Sequence, residues 1–488
     1  MNMNTIYHQL YLLPTLQGRG WGRIIPFLFL LFIASCSKES LPDENEGPLP
    51  QITWVMSSGR FTIETGETIQ LVPDIENLDE TSTYTWIFED EVIGHEDYYT
   101  FTSDEPGEYF IKLIVTNQHG KAEDEVKITV LEKETVEYPV IPEHNGWRFP
   151  WTEINVAQGR SIKLKAYMTG SDTEISEVFT ASEQGQQIIT LKDEASGRTQ
   201  DFVINVCPPE GVYRRPSTGK AMVNCVYEYM PAPGHQVNGY IITGEAYPKD
   251  CTHEQACDSV LAHFSRKWSV SLGGQGGYLV AGFDHSVPAG GAAYDLCIKG
   301  NPFSYQSEPG IIWVSQDDNG DGLPNDQWFE LAGSEYGTEN HSTEYAITYY
   351  HPEKVKSATG WRDNNNDTGY IPYLSYWNPS PYYWQPWIEG TEHTYFGSRL
   401  RDRSTYQNGI SDIPPYEWGY ADNLGDLIDG LAGKMGYYRI SNARTWDGQP
   451  ANLLYIDFIK IQTAQTGFTP NLGEISTEVY YISDYHLE

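Results

Sequence analysis

Positive charge, cysteine and long apolar runs are all scarce in this 488-residue chain, and each shortage argues against a class of function. Lys and Arg number 31 against 67 Asp and Glu, a formal net charge of −36. Such a chain repels phosphate backbones, so no nucleic acid is expected as a partner. There are only 6 cysteines and no CxxC spacing, which disfavours a zinc site. No G-x-S-x-G and no phosphate-cradling glycine loop occurs. His95-Glu96 and His253-Glu254 lack the second His of a zinc protease. Abundant instead are 45 Gly, 29 Pro and an aromatic set of 14 Trp, 35 Tyr and 17 Phe. Together with 39% apolar residues, this composition excludes a disordered acidic tail and long helical bundles, and points to many short strands joined by turns.

The apolar run IIPFLFLLFIA, residues 24–34, follows Arg19 and Arg23. It is too short for a membrane-spanning helix of about 20 residues but suits a signal-peptide core. It ends in Ile33-Ala34-Ser35-Cys36, which resembles a bacterial lipobox. That resemblance implies cleavage before Cys36, lipidation of Cys36 and anchoring without a spanning helix. The acidic stretch behind it, SKESLPDENEGPLP, resembles the export tag of Bacteroidetes lipoproteins displayed on the outer face of the outer membrane. Five cysteines remain beyond Cys36, so at least one thiol is left unpaired within the chain.

The expected architecture is all-β: two Ig/PKD-like β-sandwiches followed by a larger jelly-roll-like β-domain with one helix. The expected boundaries are 1–35 for the signal peptide and 36–50 for an acidic linker. The sandwiches take 51–132 and 133–210, and the C-terminal ligand-binding unit 211–488. In the first sandwich Tyr109, Ile111, Leu113 and Val115 alternate with Phe110, Lys112 and Ile114, as in a half-buried strand. Tyr84, Trp86 and Phe88, then Pro106, Gly107, Tyr109, Leu113, Val115, Asn117 and Gly120, resemble the PKD domain pattern. Glu89 and Asp90 stand where that family has G-D-G. Residues 133–210 read as a weaker second copy, INVAQGRSIKLKAYMTG paralleling TIETGETIQLVPDI. In the last unit, Thr252 with Gln255 forms a capping-box pattern, and Ala256, Val260, Leu261 and Phe264 fall on one helical face ending near Lys267. The strings GGYLVAGFDH, EPGIIWVSQDDNGDGLPNDQWFELAGSEYG and IDFIKIQT resemble a family of Bacteroides PKD-domain-containing cell-surface lipoproteins. Some of these accompany outer-membrane uptake systems, including vitamin B12 uptake, so the resemblance implies ligand capture.

Four features can carry chemistry. Asp317, Asn319 and Asp321, followed by Gly322, match a D-x-[DN]-x-[DN]-G calcium loop, with Asn325 or Asp326 closing the shell around a structural Ca²⁺. The alternative is an ordinary Asp/Asn/Gly hairpin. The segment GYIPYLSYWNPSPYYWQPW reads as a long loop, in which Tyr376, Trp377, Tyr383, Trp384 and Trp387 are candidates for a stacking platform. The alternative is that they pack back on the sheet. Arg399, Arg401 and Arg403 would share one face of a strand and could grip an anion, or else pair with nearby acids. Asp284, His285, Glu330 and Glu335 are the only acid–base candidates noted, and no catalytic residue is assigned.

The expected function is therefore non-catalytic: a surface-exposed lipoprotein that captures a corrinoid or a glycan for a TonB-dependent transporter. Two other classes stay open. An adhesin or structural surface protein needs a flat apolar patch. A jelly-roll polysaccharide-degrading enzyme needs two carboxylates within about 5–10 Å in a cleft.

Overall fold

The computed structural model describes residues 47–54, 59–133, 136–143, 151–167, 174–215, 219–235, 237, 250–303, 305–374, 384–407, 410–427, 434–470 and 472–488. Cys36 and the apolar run before it lie outside these residues. The chain is built mostly of β-strands, with one α-helix among the described residues.

In the first sandwich, Gly107–Asn117 pairs on one side with Gly120–Leu131 and on the other with Thr83–Phe88. Ile111, Leu113 and Val115 are wholly buried while Phe110 is exposed, as the alternation requires. Trp86 closes the core, and its Nε1 donates to the Glu96 carbonyl at 2.9 Å. Glu89 and Asp90 adopt left-handed φ of 48° and 67° and make the tight turn into Glu91–Gly94. The hairpin thus survives without glycine, at a backbone cost of about 1–2 kcal/mol per residue.

The second sandwich repeats a feature of the first. Arg60–Glu64 runs parallel to the closing strand Gly120–Leu131, and Glu153–Ala157 runs parallel to the closing strand Thr199–Cys207. Its core gathers Val156, Leu164, Phe202 and Ile204.

The C-terminal unit is organised by a six-stranded antiparallel sheet. Its strands are β1 (Cys225–Met230), β2 (Tyr278–Pro288), β3 (Gly310–Ser315), β4 (Trp328–Leu331), β5 (Ala443–Arg444) and β6 (Tyr455–Thr463), in the spatial order β1-β2-β6-β3-β4-β5. One face buries Leu279, Ala281, Ile312, Val314, Phe329, Ile459 and Ile461. The helix α1 (His253–Arg266) packs there through Ala256, Cys257, Val260 and Phe264. Its capping box forms as expected between Thr252 and Gln255, and Lys267 ends it in a left-handed conformation. Glycine is required in the GGQGG turn, because a Cβ on Gly277 would lie 1.9 Å from the Leu272 carbonyl oxygen. A second sheet orders Thr368–Ile371, Thr359–Asp363, His341–Tyr350 and Glu392–Leu400. The five cysteines from Cys207 to Cys297 are unpaired thiols.

Candidate functional site

The aromatic segment holds down the fold where it is described. Tyr376, Trp377 and Tyr383 lie outside the described residues. Trp384 is 8% exposed in the core with Tyr349 and Tyr395, and its Nε1 donates to the Ile388 carbonyl at 3.2 Å. Trp387 donates to the Tyr229 carbonyl at 3.2 Å and packs on the Tyr229 ring. Trp384 as a stacking surface is therefore corrected: a ring enclosed on both faces, with its N–H engaged, offers nothing to a ligand.

The arginine expectation is also corrected. The strand ends at Leu400, so the alternation does not reach Arg401 or Arg403. Arg399 points to Asp363 at 3.4 Å and lies over the Tyr345 ring. Arg401 is exposed. Arg403 donates to the Pro414 and Pro415 carbonyls and stacks on Tyr416.

The Asp/Asn/Gly motif forms the β3–β4 hairpin. Asp317 accepts the Gly320 and Gly322 N–H groups at 2.7 and 2.9 Å. Asp321 accepts from the side chains of Asn319 and Asn325 and from Leu323 N–H. Asp326 accepts from Asp318 N–H, and its other oxygen is buried without a partner. Burial beside Asp318 and Asp317 pushes the Asp326 carboxyl up to about 9. The loop's outer side carries the second sandwich. Asn155 donates to Asn325 Oδ1 at 2.7 Å, Ala157 N–H to Asp318, and Arg160 to Asp318 at 3.0 Å. Asp318, outside the motif's alternation, is thus the anchor of the contact. Burial raises its carboxyl to about 6 even with Arg160 opposing.

This docking leaves a cleft of about 440 Å³ between the second sandwich and the open face of the six-stranded sheet. Strand register writes its floor. Glu228 pairs with Val280, Val280 with Lys460, Lys460 with Trp313, Trp313 with Glu330, and Glu330 with Arg444. All six line the cleft, one from each strand. Trp151, Lys163 and Lys165 face them from the sandwich, with Trp328, Glu344 and Trp446 at the sides. Trp446 reaches across, its Nε1 3.2 Å from Ser161 Oγ.

The acids here are engaged. Glu228 accepts the Tyr278 hydroxyl at 2.6 Å. Glu330 accepts from Ser398 Oγ at 2.5 Å and lies 2.7 Å from His341 Nε2. Glu344 pairs with Lys163 and Lys165. Burial holds the Lys460 ammonium down to about 8, with Glu228 pulling the other way. Two buried polar atoms of the lining lack any partner, Trp313 Nε1 and Gln327 Oε1.

The acid–base candidates are dispersed. His285 is enclosed between Asp284 and Asp484 at 2.7 and 3.0 Å. Glu335 is bonded to Asn340 outside the cleft. Glu228 and Glu330 stand four strands apart, about 19 Å at normal strand spacing, beyond a glycosidase pair's reach of about 5–10 Å. Among the described residues, the one group of three carboxylates within 4.8 Å of one another is elsewhere, at Glu308, Asp422 and Glu478.

Comparison with known proteins places a PKD-like domain at residues 49–117. The chain is similar to the PKD domain (329–428) of human KIAA0319, at 14% identity over 21% of this chain and 100% of that one, with a TM-score of 0.18. It is also similar to the fibronectin(III)-like modules of Clostridium thermocellum CbhA, at 12% identity over 34% and 99% of the two chains, with a TM-score of 0.16. No curated protein matches the chain.

Proposed function

We propose that this protein is a non-catalytic, lipid-anchored surface protein that captures an extracellular nutrient in the cleft between its second sandwich and its jelly-roll-like C-terminal unit. Cys36 is the proposed lipid attachment site on the outer membrane, and the cargo, a glycan or a corrinoid, would pass to a TonB-dependent transporter. One observation carries this reading: a cross-strand row of charged and aromatic side chains floors an open cleft. The cleft is in the size range of small-molecule sites, about 300–1,000 Å³, and aromatic faces with a few polar atoms are what such sites use. The two sandwiches form the stalk.

Calorimetric titration of residues 36–488 with cyanocobalamin and a glycan panel tests the reading. Trp446→Ala removes a 42% exposed indole from the rim, so affinity should fall about tenfold with little change in melting temperature. Trp384→Ala should do the reverse, costing about 3–5 kcal/mol of stability. Absence of heat with every ligand, or Trp446→Ala without effect, would refute the site.

We also propose a structural Ca²⁺ in the Asp317–Asp326 loop. Asp317, Asn319, Asp321, Asn325 and Asp326 each offer a side-chain oxygen, and Asp326 Oδ2 is without a partner. Calcium at 1 mM should raise the melting temperature relative to chelator, and Asp321→Ala should abolish that rise. Identical melting curves would remove the ion.

A further inference from the structure

In the cleft lining Lys163, Lys165, Lys460 and Arg444 face Glu228, Glu330 and Glu344, a small positive excess in a strongly acidic chain. Glu344 is paired with Lys163 and Lys165, while Glu228 and Glu330 keep their charge and accept from the Tyr278 and Ser398 hydroxyls. Lys460 and Arg444 have no carboxylate within ion-pair distance among the described residues. Arg444 Nη1 donates only to the Ser441 and Ala443 carbonyls, at 3.3 and 3.1 Å. The Lys460 ammonium lies 4.3 Å from the Tyr278 ring centre and 6.0 Å from that of Trp313. Aromatic walls lower the local dielectric, so an anion brought to Lys460 gains more there than at an open surface.

Lys460 and Arg444 stand three strands apart, about 14 Å at the usual spacing. That separation suits a chain of acidic units better than a single ring.

We propose that the cleft binds an anionic oligosaccharide laid along the row, with one acidic group on Lys460, the next on Arg444, and the sugar between them against Trp313. This rests on the capture reading above and narrows its glycan branch. The indole supplies the flat face and the two cations select charge.

The test is calorimetry on residues 36–488 with four ligands: an oligogalacturonate, a sulfated heparin oligosaccharide, a neutral galactan oligosaccharide and cyanocobalamin. At least one acidic probe should bind tenfold or more tightly than the neutral one. Lys460→Met, which keeps the aliphatic stem, should cost the acidic probe about tenfold and leave the neutral probe unchanged. Arg444→Gln, at the sheet edge, repeats the test should the central-strand variant fold poorly. Carboxylated and sulfated winners both support the proposal and tell the two sources apart. Equal binding of the neutral probe, or acidic binding indifferent to both variants, overturns it while capture stands. Binding of cobalamin alone also overturns it and leaves capture intact. Silence with all four ligands overturns both.

Discussion

Arg160→Met should cost about 3 kcal/mol at pH 8 and much less at pH 5. Asp318 is buried, and among the described residues Arg160 is its one cationic partner, at 3.0 Å. Without the guanidinium, the donors left to the Asp318 carboxylate among the described residues are Ala157 N–H and the Gln316 amide. Breaking a buried pair from one side is expensive because the remaining charge has no compensation, typically about 3–5 kcal/mol. The pH dependence follows from the direction of the shift. The folded carboxyl already titrates at about 6, above its ordinary value, so its favourable term is complete at low pH and lost as pH rises. Removing Arg160 lifts the folded value further and extends the loss toward pH 8. Below about pH 5 the carboxyl is protonated in both proteins and the difference closes. Arg160→Met with Asp318→Asn should restore most of the stability. Urea denaturation at the two pH values reads the effect, and ligand titration should weaken alongside it, since this contact holds one wall of the cleft. An equal cost at both pH values would show that the pair contributes packing rather than charge.

Glu478→Gln should stabilise the protein at alkaline pH and do nothing at pH 5. Glu478, Asp422 and Glu308 crowd together beneath β3 and beside the strand pair Val270–Ser271 with Glu478–Val479. Burial, then mutual repulsion, pushes Glu308 up to about 8 and the other two well above the carboxylate range. The facing groups are the Ser271 hydroxyl, the N–H groups of Asn301, Ser476 and Glu478, and Lys434, whose Nζ rests on the Asn301 carbonyl. Each raised carboxyl stabilises the fold fully below its unfolded value near 4.5. Its contribution falls by roughly 1.4 kcal/mol per pH unit until the folded value is reached. The wild type should therefore lose stability between pH 5 and 8.5. In the variant an amide donates to Glu308 while its oxygen still accepts from Ser271. The slope should drop by one group's share, at most about 1.4 kcal/mol per pH unit. Parallel pH profiles for the two proteins would exclude proton sharing in this cluster.

Both sites explain why some features were legible in the chain and others were not. The α1 capping box spans four consecutive residues, and the strand at Gly107–Asn117 carries its own period of two. Such signals are local, so they read correctly. The Asp/Asn/Gly motif joins the paired strands β3 and β4, as both the calcium-loop and the hairpin readings require, but its docking role rests on Asp318, which the calcium pattern passes over. In the aromatic segment, composition says nothing about which way a ring points, and Trp384 points into the core. One signal for the cleft is Lys460, flanked by Ile459 and Ile461 in the strand IDFIKIQT, where a charge in a central strand needs a reason.

By itself, then, the sequence determined the strand-rich class, the PKD-like first sandwich, the helix α1 and the turns, because neighbouring residues encode them. Only the tertiary structure decided the site. Glu228 and Lys460 are far apart in the chain, yet the sheet order β1-β2-β6-β3-β4-β5 sets them two strands apart on one face. Which side chains share a cleft depends on long-range register and on a docked second module, and neither has a period that a single chain displays.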